Sequence, residues 1–125
     1  MEIEFVKANF SKTKPKATIH MTGKLGFNTE ASNLMDLSNK GSFLIGKDKN
    51  NEDKLYLLES DSEGSVKIAK AGEYYYLNAG NVFELMELDY RLFTIMFDVS
   101  LDKYNDKDIY VLNKRIPKPR NIKNA

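Results

Sequence analysis

Lys16, Thr18, His20 and Lys24 fall around a Thr22-Gly23 turn signal at spacings that put them on one side of a β-hairpin. Cations on a common strand face can meet phosphate oxygens, and a histidine among them adds a titratable donor. A second turn, at Ala71-Gly72, has Lys67, Ala69, Glu73 and Tyr75 in the corresponding outward places. There Tyr75 could offer a ring for a base to stack on. The plainer alternative for both sets is a solvated sheet face carrying lysines for solubility. Past residue 112 the segment NKRIPKPRNIKNA supplies Lys114, Arg115, Lys118 and Arg120 without an acid, which suits a phosphate backbone or a solubilising tail.

Other chemistry has little to build on. There is no cysteine, so thiolate catalysis, disulfides and cysteine metal sites are excluded. His20 is the single histidine and has no carboxylate partner nearby in sequence, which leaves no material for a nucleophile–base pair or a histidine zinc site. Phosphate-loop, dinucleotide-glycine and nucleophile-elbow patterns are missing. The oxygen-rich stretches 47–53 and 102–108 lack a full calcium-ligand pattern and are interrupted by lysines, so they read as polar hairpin loops. The expectation is a non-enzyme with no cofactor and no metal.

The elements that position these residues come in two similar sets. Residues 17–59 and 66–112 share a hydrophobic frame. Ile19, Gly23, Leu25 and Phe27 match Ile68, Gly72, Tyr74 and Tyr76. Leu34-Met35-Asp36-Leu37 matches Leu85-Met86-Glu87-Leu88, and Leu55-Tyr56-Leu57-Leu58 matches Ile109-Tyr110-Val111-Leu112. Each set reads as hairpin, short helix, strand, charged loop and closing strand. Asn28 or Thr29 would cap the first helix through Leu37, and Asn78 the second, over 79–88. Strands are expected at 42–47, 54–59, 92–99 and 108–112, with a further first strand over 2–10. The alignment makes Tyr74 and Tyr76 core residues and turns Tyr75 outward.

A unit of this size cannot bury its own core, so two copies should share one. The expected fold is mostly β with two short helices, built as internally duplicated β-β-α-β-β units in a pseudo-two-fold swapped-hairpin barrel. It would form a single duplicated domain over 1–112, with repeat 1 about 16–59 and repeat 2 about 65–112, followed by a disordered basic tail at 113–125.

Thr22-Gly23-Lys24-Leu25-Gly26-Phe27, Glu30-Ala31, Leu34 to Leu37, Phe43-Leu44-Ile45 and Leu55 to Leu58 carry a family resemblance. Their order resembles the swapped-hairpin, looped-hinge-helix domain of AbrB/SpoVT-type transition regulators and MazE-type antitoxins. In that family two chains interlock hairpins into a small barrel that binds DNA through hairpin arginines and lysines. Here one chain would do the work of two. The resemblance implies a transcription-regulator-like DNA binder, and the lack of arginine forks on these hairpins implies low sequence specificity.

Net charge is +1, from basic ends (+3 over 1–28, +5 over 113–125) and an acidic middle (−7 over 29–112). That distribution also suits a protein–protein or assembly module, virion-associated or antitoxin-like, that pairs with a partner or with itself. A single-stranded nucleic-acid binder is a further alternative. The start of the chain resembles no signal peptide and no apolar run approaches a membrane span, so the expected place is the cytoplasm. Few arginines beside many lysines and asparagines suit an AT-rich genome, with a host's cytoplasm as the location if the gene is phage-borne.

Overall fold

Alternation of apolar and polar residues fixes the strands, and asparagine, glycine and left-handed turns punctuate them. The computed structural model describes residues 1–5 and 14–121. Strand β1 (Lys16–Ile19) and β2 (Lys24–Phe27) form the first hairpin. Helix α1 (Thr29–Leu34) and a single 3-10 turn (Leu37–Asn39) lead to β3 (Ser42–Lys47) and β4 (Lys54–Glu59). Then come β5 (Val66–Ala71), β6 (Tyr74–Asn78), helix α2 (Gly80–Leu85), β7 (Phe93–Tyr104), β8 (Lys107–Lys114) and the two-residue β9 (Lys118–Pro119).

All pairings are antiparallel, in the order β1-β2-β6-β5-β3-β4-β8-β7, and β7 returns to pair with β1. The result is a closed eight-stranded antiparallel barrel with two short helices. Every strand of the ring sends alternate side chains inward. Phe27, Phe43, Phe83 and Phe97 fill the interior beside Ile19, Leu25, Leu57, Leu77 and Leu112, each at most 1% exposed. Helices α1 and α2 add Ala31, Met35 and Phe83 to this core.

Asn28 holds the first helix in place. Its Oδ1 accepts from the Ala31 N–H at 2.9 Å and from the Lys16 N–H at 3.0 Å, and its Nδ2 donates to the Lys14 carbonyl at 2.7 Å. The second helix departs from the expected cap. Asn78 is still a strand residue opposite Lys24, so Ala79 takes the cap position with no side-chain bond. Backbone packing compensates there. The Ala79 N–H donates to the Gly23 carbonyl at 3.2 Å, and a Cβ on Gly23 would come within 2.6 Å of the Gly80 Cα. Both helices stop short of the expected boundaries. In each, the acidic residue after Leu-Met adopts a left-handed conformation, Asp36 at φ 51° and Glu87 at φ 60°.

Three further expectations need correction. Residues 2–5 are not a strand, and Ile3 and Phe5 are exposed; the rest of that expected strand lies outside the described residues. The polar loop expected at 102–108 is mostly strand, since β7 and β8 stay paired to a two-residue turn at Asn105-Asp106. Residues 102–104 and 107–109 therefore project past the barrel, paired only with each other.

The tail expected to be disordered is docked as far as residue 120. Lys114 ends β8, the Arg115 N–H donates to the Met96 carbonyl at 2.8 Å, and Lys118-Pro119 pairs with Phe93-Thr94. The reason is backbone pairing along β7, which composition does not register. Residues 122–125 lie outside the described residues. Among the described residues no helix is long and apolar enough to cross a membrane.

Phe97 lies on the closing strand, opposite both Ala17 and Lys114. Phe97→Ala should lower stability by about 3–5 kcal/mol, read as a lower urea midpoint at unchanged m-value.

Candidate nucleic-acid interface

With Ala17, Ile19, Leu25 and Leu77 buried, the period of two fixes what faces solvent. Strand β1 sends out Lys16 and Thr18, and β2 sends out Lys24 and Gly26. Strand β6 sends out Tyr74, Tyr76 and Asn78, while β5 sends out Lys67, Ala69 and Ala71. No outward position on these four strands is acidic. The adjoining strand β7 places Asp98 opposite Lys16, and Arg115 neutralises it with two bonds, 3.0 Å from Nε and 2.7 Å from Nη2. That fork holds the Asp98 carboxyl below the usual aspartate range.

Of the residues singled out from sequence, Lys16, Lys24 and Lys67 share this outer face, and His20 lies at its rim in the turn after β1. Tyr75 does not join them. Strand β6 runs one step out of phase with the sequence match, so Tyr75 lies on the inner side with Leu77 and packs against the core. Lys70 sits over its ring at 5.3 Å from the centroid. The outward aromatics are Tyr74 and Tyr76, which sequence matching assigned to the core. The signal for the true phase is Leu77, an aliphatic residue two positions from Tyr75. Lys24 Nζ lies 4.8 Å from the centroid of the Tyr76 ring, so a cation and an aromatic face already meet there.

The tail residues separate. Lys114 turns away to an ion pair with Asp53 at 3.4 Å, and Arg115 is taken by Asp98. Lys118 is exposed on β9. Arg120 reaches the first hairpin, where its guanidinium donates to the Ile19 carbonyl at 3.0 Å and to the Tyr90 carbonyl at 2.9 Å.

His20 sits beside this contact. Tyr74 extends across the bare Gly26 backbone, and its hydroxyl lies 2.6 Å from His20 Nε2. Loss of solvent on that side depresses the His20 pKa below its ordinary value, with Arg120 and Lys24 adding like-charge repulsion. Burial also raises the Tyr74 phenol. Among the described residues no three acidic or histidine side chains are grouped to hold a metal ion.

A concavity of about 720 Å³ lies on the outer face of β3, β4, β8 and β7. Leu44, Leu58, Ile109 and Val111 line it with Tyr56 and Tyr104. The Tyr56 hydroxyl donates to Asp48 at 2.5 Å. Comparison with family models, with curated proteins and with solved structures returned no match.

A methyl group on Gly26 would fall 1.5 Å from the Tyr74 hydroxyl oxygen. Gly26→Ala should expel the phenol, break the His20 contact and let the His20 pKa rise toward its ordinary value. An NMR titration of the single imidazole reads this directly; an unchanged pKa would show that Tyr74 does not cover it.

Proposed function

We propose that the chain is a non-enzymatic DNA-binding protein of low sequence specificity, transcription-regulator-like, that uses the outer face of β1, β2, β6 and β5. One observation carries the reading: this face bears three lysines and no acid, with Arg120 brought to its rim by the docked tail. A surface of that kind attracts a phosphate backbone by charge and counterion release. Lysines contribute point charges instead of the forked donors that read guanine, hence the low specificity.

The strand pairing supports a duplicated, swapped-hairpin origin for this surface. Exchanging β1, β2, β3 and β4 for β5, β6, β7 and β8 turns the β1–β2 pair into β5–β6 and the β3–β4 pair into β7–β8. The same exchange converts β3–β5 into β7–β1 and leaves β2–β6 and β4–β8 as they were. In this frame Phe43 corresponds to Phe97, and left-handed Asp36 to left-handed Glu87. On this reading each half lends its hairpin to the other's strands, in the manner of the AbrB and MazE domains. A shared fold does not transfer function, so the charge of the face carries the DNA argument.

Two other readings have an observation each. Tyr76 beside Lys24, with Tyr74 exposed on the same face, favours single-stranded nucleic acid, through stacking. The apolar groove around Leu58 and Val111 favours protein docking or self-association.

Titration of labelled duplex and single-stranded DNA at several salt concentrations tests the set. Lys16→Glu with Lys24→Glu should weaken binding and flatten the log–log salt slope by roughly 1.4–1.8 if both lysines meet phosphates. Tyr76→Ala should weaken single-strand binding by about 1–3 kcal/mol if a base stacks there, and should leave duplex binding near that of the parent. No binding at low salt, or binding indifferent to salt, would rule the nucleic-acid reading out.

A further inference from the structure

We propose that His20, Lys24 and Arg120 form one phosphate-holding subsite where the C-terminal tail closes on the first hairpin, and that it takes a phosphodiester of the bound strand. The identity of that ligand rests on the nucleic-acid reading; the phosphate chemistry does not.

Arg120 is placed here by built-in contacts. Its backbone N–H donates to the Leu92 carbonyl at 2.8 Å, and its side chain is fixed on the carbonyls of Tyr90 and Ile19, the latter one residue before His20. Those two bonds use two of the five guanidinium N–H groups, leaving three for a ligand. At His20, a Tyr74 hydroxyl that donates to Nε2 leaves the ring proton on Nδ1, free to donate to an anion. Protonation adds a full charge without removing that donor.

Among the described residues, the other charges around the imidazole supply no counter-ion. Lys24 comes from its own hairpin, Arg120 from the tail and the phenol of Tyr74 from β6. On the α2 side, Glu84 is occupied by the Tyr90 hydroxyl at 3.0 Å and by Arg91 at 2.9 Å. Two cations held close to an imidazole disfavour its protonation, and a bound phosphate reverses that bias. Binding should therefore draw a proton onto His20. Affinity should rise as pH falls through the His20 pKa, which in the free protein lies below its ordinary value.

The test uses the full chain and two ligands. With inorganic pyrophosphate, the NMR-detected His20 pKa should rise by about one unit at saturation, whereas chloride at equal ionic strength should leave it in place. With a thymidine oligonucleotide at fixed low salt, affinity should tighten about tenfold between pH 8 and pH 5. His20→Gln, which keeps a polar partner for Tyr74, should abolish that pH dependence while still binding at pH 8.

An oligonucleotide that binds with no pH dependence, and equally well to the His20→Gln variant, overturns the subsite and leaves the nucleic-acid reading standing. A His20 pKa that responds to pyrophosphate, with no oligonucleotide binding at any pH, supports the phosphate chemistry and overturns the phosphodiester as its ligand.

Discussion

The return of β7 to β1 is the constraint on which the rest depends. Without the pairing of Lys16–Ile19 with Ile95–Asp98, the eight strands would form an open sheet with two bare edges and an unsealed core. With it, Ala17, Ile19, Ile95 and Phe97 are buried together and the first hairpin has neighbours on both sides. Closure also decides the surface chemistry. Once Ala17, Ile19, Leu25, Phe27, Ile68 and Leu77 point inward, Lys16, Lys24 and Lys67 and two of the three consecutive tyrosines are committed to the outside.

Local patterns showed part of this in the sequence and missed what depends on pairing. Strands β3 and β4 have the expected ends, because Phe43 and Ile45, like Leu55 and Leu57, alternate with residues of the opposite face. Asn28 was legible as a cap because its side chain meets a backbone donor three residues on. The phase of Tyr74-Tyr75-Tyr76 was not, since three tyrosines carry no alternation of their own. Only the pairing of Leu77 with Leu25 and Ile68 sets it. The docking of the tail is hidden from the sequence for a related reason. Prolines and cations give no apolar period, yet the backbone of 115–120 finds donors and acceptors along β7 and at Leu92.

For the candidate site, spacing alone brought out Lys16, His20 and Lys24. Arg120 lies a hundred residues from His20 in the chain, and its place beside Ile19 is a tertiary fact. Tyr74 is similar, because its reach to His20 needs the absent side chain of Gly26 in the neighbouring strand. Charge is sorted by the same topology. The β3–β4 loop carries Asp48, Glu52 and Asp53, and the far end of the β7–β8 hairpin carries Asp102, Asp106 and Asp108, while the hairpin strands β1, β2 and β5 present lysines on their outer sides.

The projecting end of β7 and β8 is where the ring leaves backbone donors and acceptors without a neighbouring strand. Leu101 and Tyr104 are exposed there, as they would be on a ribbon able to recruit further copies. Asp102, Lys103, Lys107 and Asp108 interrupt that ribbon, with Lys103 and Asp108 paired across it. An incoming strand would have to strip water from these charges to align with the ribbon. The barrel is thereby guarded against runaway stacking at the place where closure leaves it open.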